Sequence, residues 1–225
     1  MFSFNGVHID VYGRCTIAPL FKKSKLETQL HFIEGSDKTT RTELGFSGYV
    51  TTAQILLPPD TNIDDVHSWL NGGGRLVNDG SNKYVDAFVD DVIEPDFLTL
   101  GTYWKKLTVS FLVLDTFKHV DEADTIITVS PTIYTNVGTY FSNPKLTIEG
   151  SGEIEVSING RSFQYDFLTD TEVTIDTTQK DAYLGAVLKN RQMTGDFPTL
   201  DIGSNSISWS GTITQITLTP NTRYL

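Results

Sequence analysis

Cysteine is nearly absent: Cys15 stands alone among 225 residues. One thiol closes no disulfide within the chain and completes no cysteine zinc site. Histidine is scarce too, and His8, His31, His67 and His119 show neither HxH nor HExxH spacing. No apolar run approaches the ~18 residues that a membrane-spanning helix needs. The opening MFSFNGVHID lacks a basic stretch leading into an apolar one, so no signal peptide is expected. No Asn-x-Ser/Thr sequon occurs. These absences point to a soluble protein made in a reducing cytoplasm. Basic residues are in the minority, 17 Lys and Arg against 28 Asp and Glu, for a formal charge of −11. Through residue 128 the counts are 11 and 18, and beyond it 6 and 10, so the two parts carry −7 and −4. A chain acidic throughout repels phosphate and is a poor nucleic-acid grip, yet suits a surface that nucleic acid slides past.

Chemistry-bearing patterns are also missing. GFSGY (45–49) has Tyr49 where a nucleophile elbow needs its second Gly. NGGGR follows a helical pattern, whereas a phosphate cradle precedes a helix and continues Lys-Ser/Thr, so it reads as a helix stop. DTNIDD (60–65) starts like a calcium loop but has Asp65 and Asn71 where such a loop needs Gly and Glu. Asp90, Asp91, Glu94 and Asp96 cluster as a solvated strand edge does. Trp104, Trp209, Tyr134 and Tyr140 form the aromatic set from which a sugar platform would be drawn, although the alternation around Trp209 favours a core or sheet-face position. No catalytic, cofactor-binding or metal-binding residues are assigned.

Aromatics at 11% and a hydrophobic content of 39% suffice for a core. EIEVSINGRSFQYDF (153–167) alternates on both sides of Asn159-Gly160, the favoured two-residue hairpin turn. TEVTIDT (171–177), SISWS (206–210) and TQITLTP (214–220) alternate too, which argues for an antiparallel sandwich. GDFPTLDIGSNSISWSGT (195–212) places Pro198, Gly203 and Asn205 ahead of its strand, with Phe197 and Leu200 as apolar anchors. It predicts a corner that lets a strand cross between sheets, with positive φ at Gly203.

The first part is mixed. FSFNGVHIDVYG reads as strand, turn and strand, and TELGFSGYVTTAQILLPPD (42–60) as long β structure. One helix is expected from Asn62 as N-cap, with Ile63, Val66 and Leu70 on one face and Trp69 beside it. YVDAFVDDVIEP (84–95) and KKLTVSFLVLDTF (105–117) read as strands. The junction is placed near 125–142, where the stretch SPTIYTNVGTYFSNP (130–144) reads as a linker into the second domain, giving domains 1–130 and 131–225. Residues 21–41 read as a hairpin arm. Lys22, Lys23, Lys25, Lys38 and Arg41, with Arg14 just before, give it a basic face, and Leu26, Leu30 and Phe32 an apolar one.

In their order, FSFNGVHIDVYG, IDDVHSWLNGGGRLVNDGSNKYVDAFV, LTVSFLVLDTFKH, INGRSFQYDF, TIDT and the C-terminal GDFPTLDIGSNSISWSGTITQITLTPNTRYL resemble the distal tail (Dit) proteins of long-tailed phages of Gram-positive bacteria, over nearly the whole chain. VLDTF departs where many relatives carry Cys and Pro, and the chain is too short for an inserted carbohydrate-binding module. The resemblance implies a mainly β protein, with a sandwich-like N-terminal domain bearing one helix and a projecting arm. The C-terminal domain would be a galectin-like antiparallel β-sandwich. It implies a homo-hexameric ring hub in the virion tail tip, without catalysis or cofactor. Its partners would be the major tail tube protein, the tail-tip protein and receptor-binding proteins, with DNA passing through unbound. The alternative is a carbohydrate-binding protein that uses the C-terminal sandwich for adhesion to the host surface.

Overall fold

The computed structural model describes residues 1–35, 37–89, 95–97 and 104–225, with residues 95 and 97 described in backbone only. Asp90, Asp91 and Glu94 of the acidic cluster, and Ser36 of the arm tip, lie outside the described residues. The chain is mainly β and divides into two units, Met1–Lys118 with Leu225, and His119–Tyr224.

The first unit contains β1 (Phe2–Phe4), β2 (Val7–His8), β3 (Arg14–Ile17), β4 (Lys25–Phe32), β5 (Thr39–Ser47) and β6 (Tyr49–Leu57). Helix α1 (Ile63–Trp69) follows, then β7 (Gly73–Asn78), β8 (Lys83–Val89), β9 (Pro95–Phe97) and β10 (Lys105–Val113). The main sheet runs β2-β1-β7-β8-β10-β6-β3. Alternation sets its inner face: Leu107, Val109, Phe111 and Val113 of β10 are buried, as are Ala53, Ile55 and Leu57 of β6. β1 and β10 stand three strand spacings apart, about 14 Å in a flat sheet. Phe2 and Phe4 nevertheless lie 5.8 and 5.3 Å from the Phe111 ring, centroid to centroid. The sheet therefore curls around its own apolar face.

Helix α1 packs into the curl. The Asn62 side chain accepts from the Asp64 amide at 3.1 Å, an N-cap that satisfies one orphan donor. Trp69 stacks on Phe2 and Tyr12, and its indole N–H donates to the Phe4 carbonyl at 2.9 Å. The triple glycine does more than stop the helix. Gly72 turns the chain at φ +78°, whereas Gly73 and Gly74 already belong to β7. A Cβ at Gly74 would run into the Asn5 side chain, so the run also leaves room for that side chain against β7.

The second unit contains β11 (His119–Val120), β12 (Thr125–Ile127), β13 (Thr132–Asn136), β14 (Lys145–Ile158), β15 (Arg161–Asp166) and β16 (Glu172–Asp176). β17 (Asp181–Leu184), β18 (Val187–Leu188), β19 (Met193–Gly195) and β20 (Gly203–Thr219) complete it. Two long strands, β14 and β20, build both layers of a sandwich. Residues 145–149 of β14 pair with β16 on one side and with 215–219 of β20 on the other. Past residue 152 the same strand pairs with β15, and β20 there reaches β13. One layer is β12-β20-β14-β16-β17-β18 and the other β13-β20-β14-β15-β19. The register shifts fall between Glu149 and Glu155, where Gly152 and Gly211 hold φ of +69° and +86°. Both halves of β14 then point inward, Leu146 and Ile148 from one, Ile154, Val156 and Ile158 from the other, into a single core.

The Asn159-Gly160 hairpin forms as expected, with φ of +53° and +79°. The corner before β20 forms too. Gly203 holds φ +82°, and fully buried Asn205 ties the corner to the hairpin. Its side-chain oxygen accepts from the Asn159 amide and the Asp201 backbone, both at 2.7 Å, and its amide donates to the Asp201 and Gly203 carbonyls. Leu200 is fully buried and Phe197 half-buried. SISWS and TQITLTP, which read as two strands, are one strand bent at Gly211. Residues 125–142, which read as a junction, include β12 and β13, paired to opposite ends of β20. The second unit accordingly begins at residue 119, ahead of the 130/131 boundary read from the sequence.

Candidate assembly surfaces

Among the described residues β4 and β5 pair only with each other, as a two-stranded ladder from Lys25 opposite Ser47 to Phe32 opposite Thr39. This hairpin occupies Lys25–Ser47, a shift from the 21–41 span read from the sequence, because the return strand runs on toward β6. Gly48 separates β5 from β6, and a Cβ there would press against the Val113 carbonyl at 2.5 Å. The base is anchored to the sheet. Ser24 donates to the Thr116 carbonyl at 2.8 Å, Lys22 to the Val50 carbonyl at 2.7 Å, and the Phe46 ring meets Phe117 edge-on at 5.5 Å.

The predicted basic face is largely neutralised within the arm. Lys25 pairs with Glu27 at 3.1 Å and Arg41 with Glu43 at 2.7 Å. Over 25–47 the charges are Lys25, Lys38 and Arg41 against Glu27, Glu34, Asp37 and Glu43, so 3 − 4 gives −1. Lys22 and Lys23 precede the ladder, and Arg14 lies on β3. The apolar side of the reading is stronger. Leu26 is half-buried at the base, while Leu30 and Phe32 are 55% and 79% exposed. Ile33 and Leu44, which the sequence reading passed over, are exposed as well. Leu44 is the extra residue of a bulge beside Gly45, and a plain count by twos misplaces it.

The four aromatic residues considered for a sugar platform are divided between the two units. Trp104 belongs to the first unit and the other three to the second. Trp209 packs against the second core, and Tyr140 lies against Phe141 at 4.5 Å. A polar hollow of about 350 Å³ lies beside Glu153, Glu155, Asp166, Gln164, Thr194 and Ser210 on the β14–β15 side. Among the described residues no three His, Cys, Asp or Glu side chains are grouped to hold a metal ion. No described helix is long and apolar enough to cross a membrane.

No protein-family model matches the sequence, and no curated protein does. The structure, by contrast, superposes on the crystal structure of the SPP1 Dit protein with a TM-score of 0.77, over 96% of this chain and 97% of that one. The chain has the fold of SPP1 Dit. At 14% identity the agreement is one of backbone architecture, carried through both units in the same order. SPP1 Dit is described as a paradigm of hub adsorption apparatus in phages that infect Gram-positive bacteria. Two structures of the phage p2 baseplate in its activated conformation, with strontium and with calcium, align at TM-scores of 0.45 and 8% identity, over 92% of this chain and 89% of those.

Proposed function

We propose that the protein is a structural hub of a phage tail: a homo-hexameric ring that joins the tail tube to the tail tip, without catalysis. The observation that carries this reading is the superposition on SPP1 Dit across 96% of the chain, both units included. The first unit forms the ring, and its arm over Lys25–Ser47 docks on the next copy. Such a head-to-tail contact closes when the rotation fits. The anchored base fixes the direction of the arm before contact, and Leu30, Phe32, Ile33 and Leu44 are the apolar surface it delivers. The second unit faces outward, toward receptor-binding proteins. A net charge of −11 lets DNA pass along the channel without adhering. The virion tail tip is the site of action.

The test uses the full chain and a variant in which residues 26–45 are replaced by a Gly-Ser turn. Sedimentation and electron microscopy should give six-fold rings for the first and a folded protein that forms no rings for the second. A wild-type protein that stays monomeric at all concentrations tested would overturn the hub reading. Rings from the variant would remove the arm from it.

A further inference from the structure

Nine large apolar side chains of the second unit are more than a third exposed, and seven fall into two groups. Ile126, Val129, Ile133 and Val137 form one. Ile126, Val129 and Ile133 line a groove of about 240 Å³ along β12 and β13. Leu168, Val187 and Leu188 form the other, around a hollow of about 540 Å³ that Arg191 also lines. Ile126 on β12, and Val187 and Leu188 on β18, stand at opposite edges of one layer, since that layer runs from β12 to β18. Among the described residues no strand lies outside either edge. Bare strand edges carrying apolar side chains are what soluble proteins avoid unless something pairs with them.

The geometry points to a second copy of this chain as the partner, its β12 edge adding to the β18 edge of the first. Each strand of the layer is antiparallel to the next. With six strands the two edges therefore run in opposite directions, and a copy in the same orientation meets β18 with an antiparallel β12. The charges agree. Residues 119–129 carry Asp121, Glu122 and Asp124, or −3, and beside β18 Arg191 carries a positive charge next to the Lys189–Asp170 pair. Lys189 is held by Asp170 at 2.6 Å in a mostly buried pair, which clamps the loop bearing Leu168 to the end of β18. Arg191 is left for the partner's carboxylates. Leu168 holds φ +52° while 68% exposed, a strained conformation that keeps an apolar side chain on this surface. The contact is head-to-tail, and is independent of the arm.

Cross-linking tests it in the full chain with Cys15→Ser. Ile126→Cys, Val187→Cys and Leu188→Cys are made as separate proteins, all at exposed positions. Directly opposed residues in an antiparallel pair lie within disulfide reach. Ile126→Cys mixed with either Val187→Cys or Leu188→Cys should give a disulfide dimer, while each protein alone gives at least about tenfold less. The same dimer should form when the arm is replaced, so a wild-type chain that forms no rings while the cross-link is kept counts against the hub reading alone. No dimer in either mixture would overturn the inference. So would equal yields from single proteins, or a cross-link that vanishes with the arm.

Discussion

Gly211 and Gly203 both hold positive φ, yet their surroundings differ. A Cβ at Gly203 meets nothing within 4 Å. One at Gly211 runs into the Glu153 carbonyl and sits 3.0 Å from the Ile154 Cα. Gly203→Ala should cost about 1 kcal/mol, from left-handed strain alone. Gly211→Ala should cost about 3 kcal/mol, because the two bent strands must also move apart. Thermal melts of the two variants check the order, and equal melting temperatures would contradict it. Leu200→Ala should likewise outweigh Phe197→Ala, about 3 against about 2 kcal/mol, since only Leu200 is fully buried. Tyr165 titrates late. Burial, with help from Asp170 and Asp166, pushes its hydroxyl up to about 12. The unfolded side chain ionises near 10, so from about pH 10 to 12 the unfolded state has lost a proton that the folded state keeps. Stability is therefore undiminished by this group below pH 10 and falls as pH rises through that window. Alkaline denaturation monitored by circular dichroism should be shallower for Tyr165→Phe.

At the scale of elements, the arm depends on its base. Phe46→Ala removes the ring contact with Phe117 and should speed hydrogen exchange across β4 and β5 while β6 stays protected. Uniform exchange in both proteins would show the arm held by its backbone alone. The arm also shows what could be read in the sequence. The basic residues and the evenly spaced Leu26, Leu30 and Phe32 announced a hairpin, but its limits depended on a bulge at Gly45 and a close approach at Gly48, neither of which has a period. Helix α1 was legible because its cap, its apolar face and Gly72 are local. The hairpin at Asn159-Gly160 was legible for the same reason. The sharing of β14 and β20 between layers was not. Gly150, Gly152 and Gly211 look like ordinary loop residues until the partner strands are known. Ile126 and Ile133 read as part of the junction because strands of three and five residues give too few alternations to count.

Over the whole molecule, the acidic balance is uneven in its consequences. The arm carries its own counter-charges, so ring assembly through it should rest on apolar contact. At 1 M salt, where screening acts beyond about 3 Å, rings should persist in sedimentation as they do at 0.1 M. The contact inferred between β12 and β18 pairs Arg191 with carboxylates and should weaken over the same range. Dissolution of rings at high salt would return the basic residues to the leading role that the sequence suggested for them.

The bent strands of the second unit have a mechanical consequence. A tug on β18 at one rim and a tug on β19 at another travel inward to the same rib, β14, and from there to β20. The layers have no independent path by which to yield: unzipping either one loosens the seam that staples the other. Whatever pulls on this unit from outside pulls on all of it, and it should give way in a single rupture.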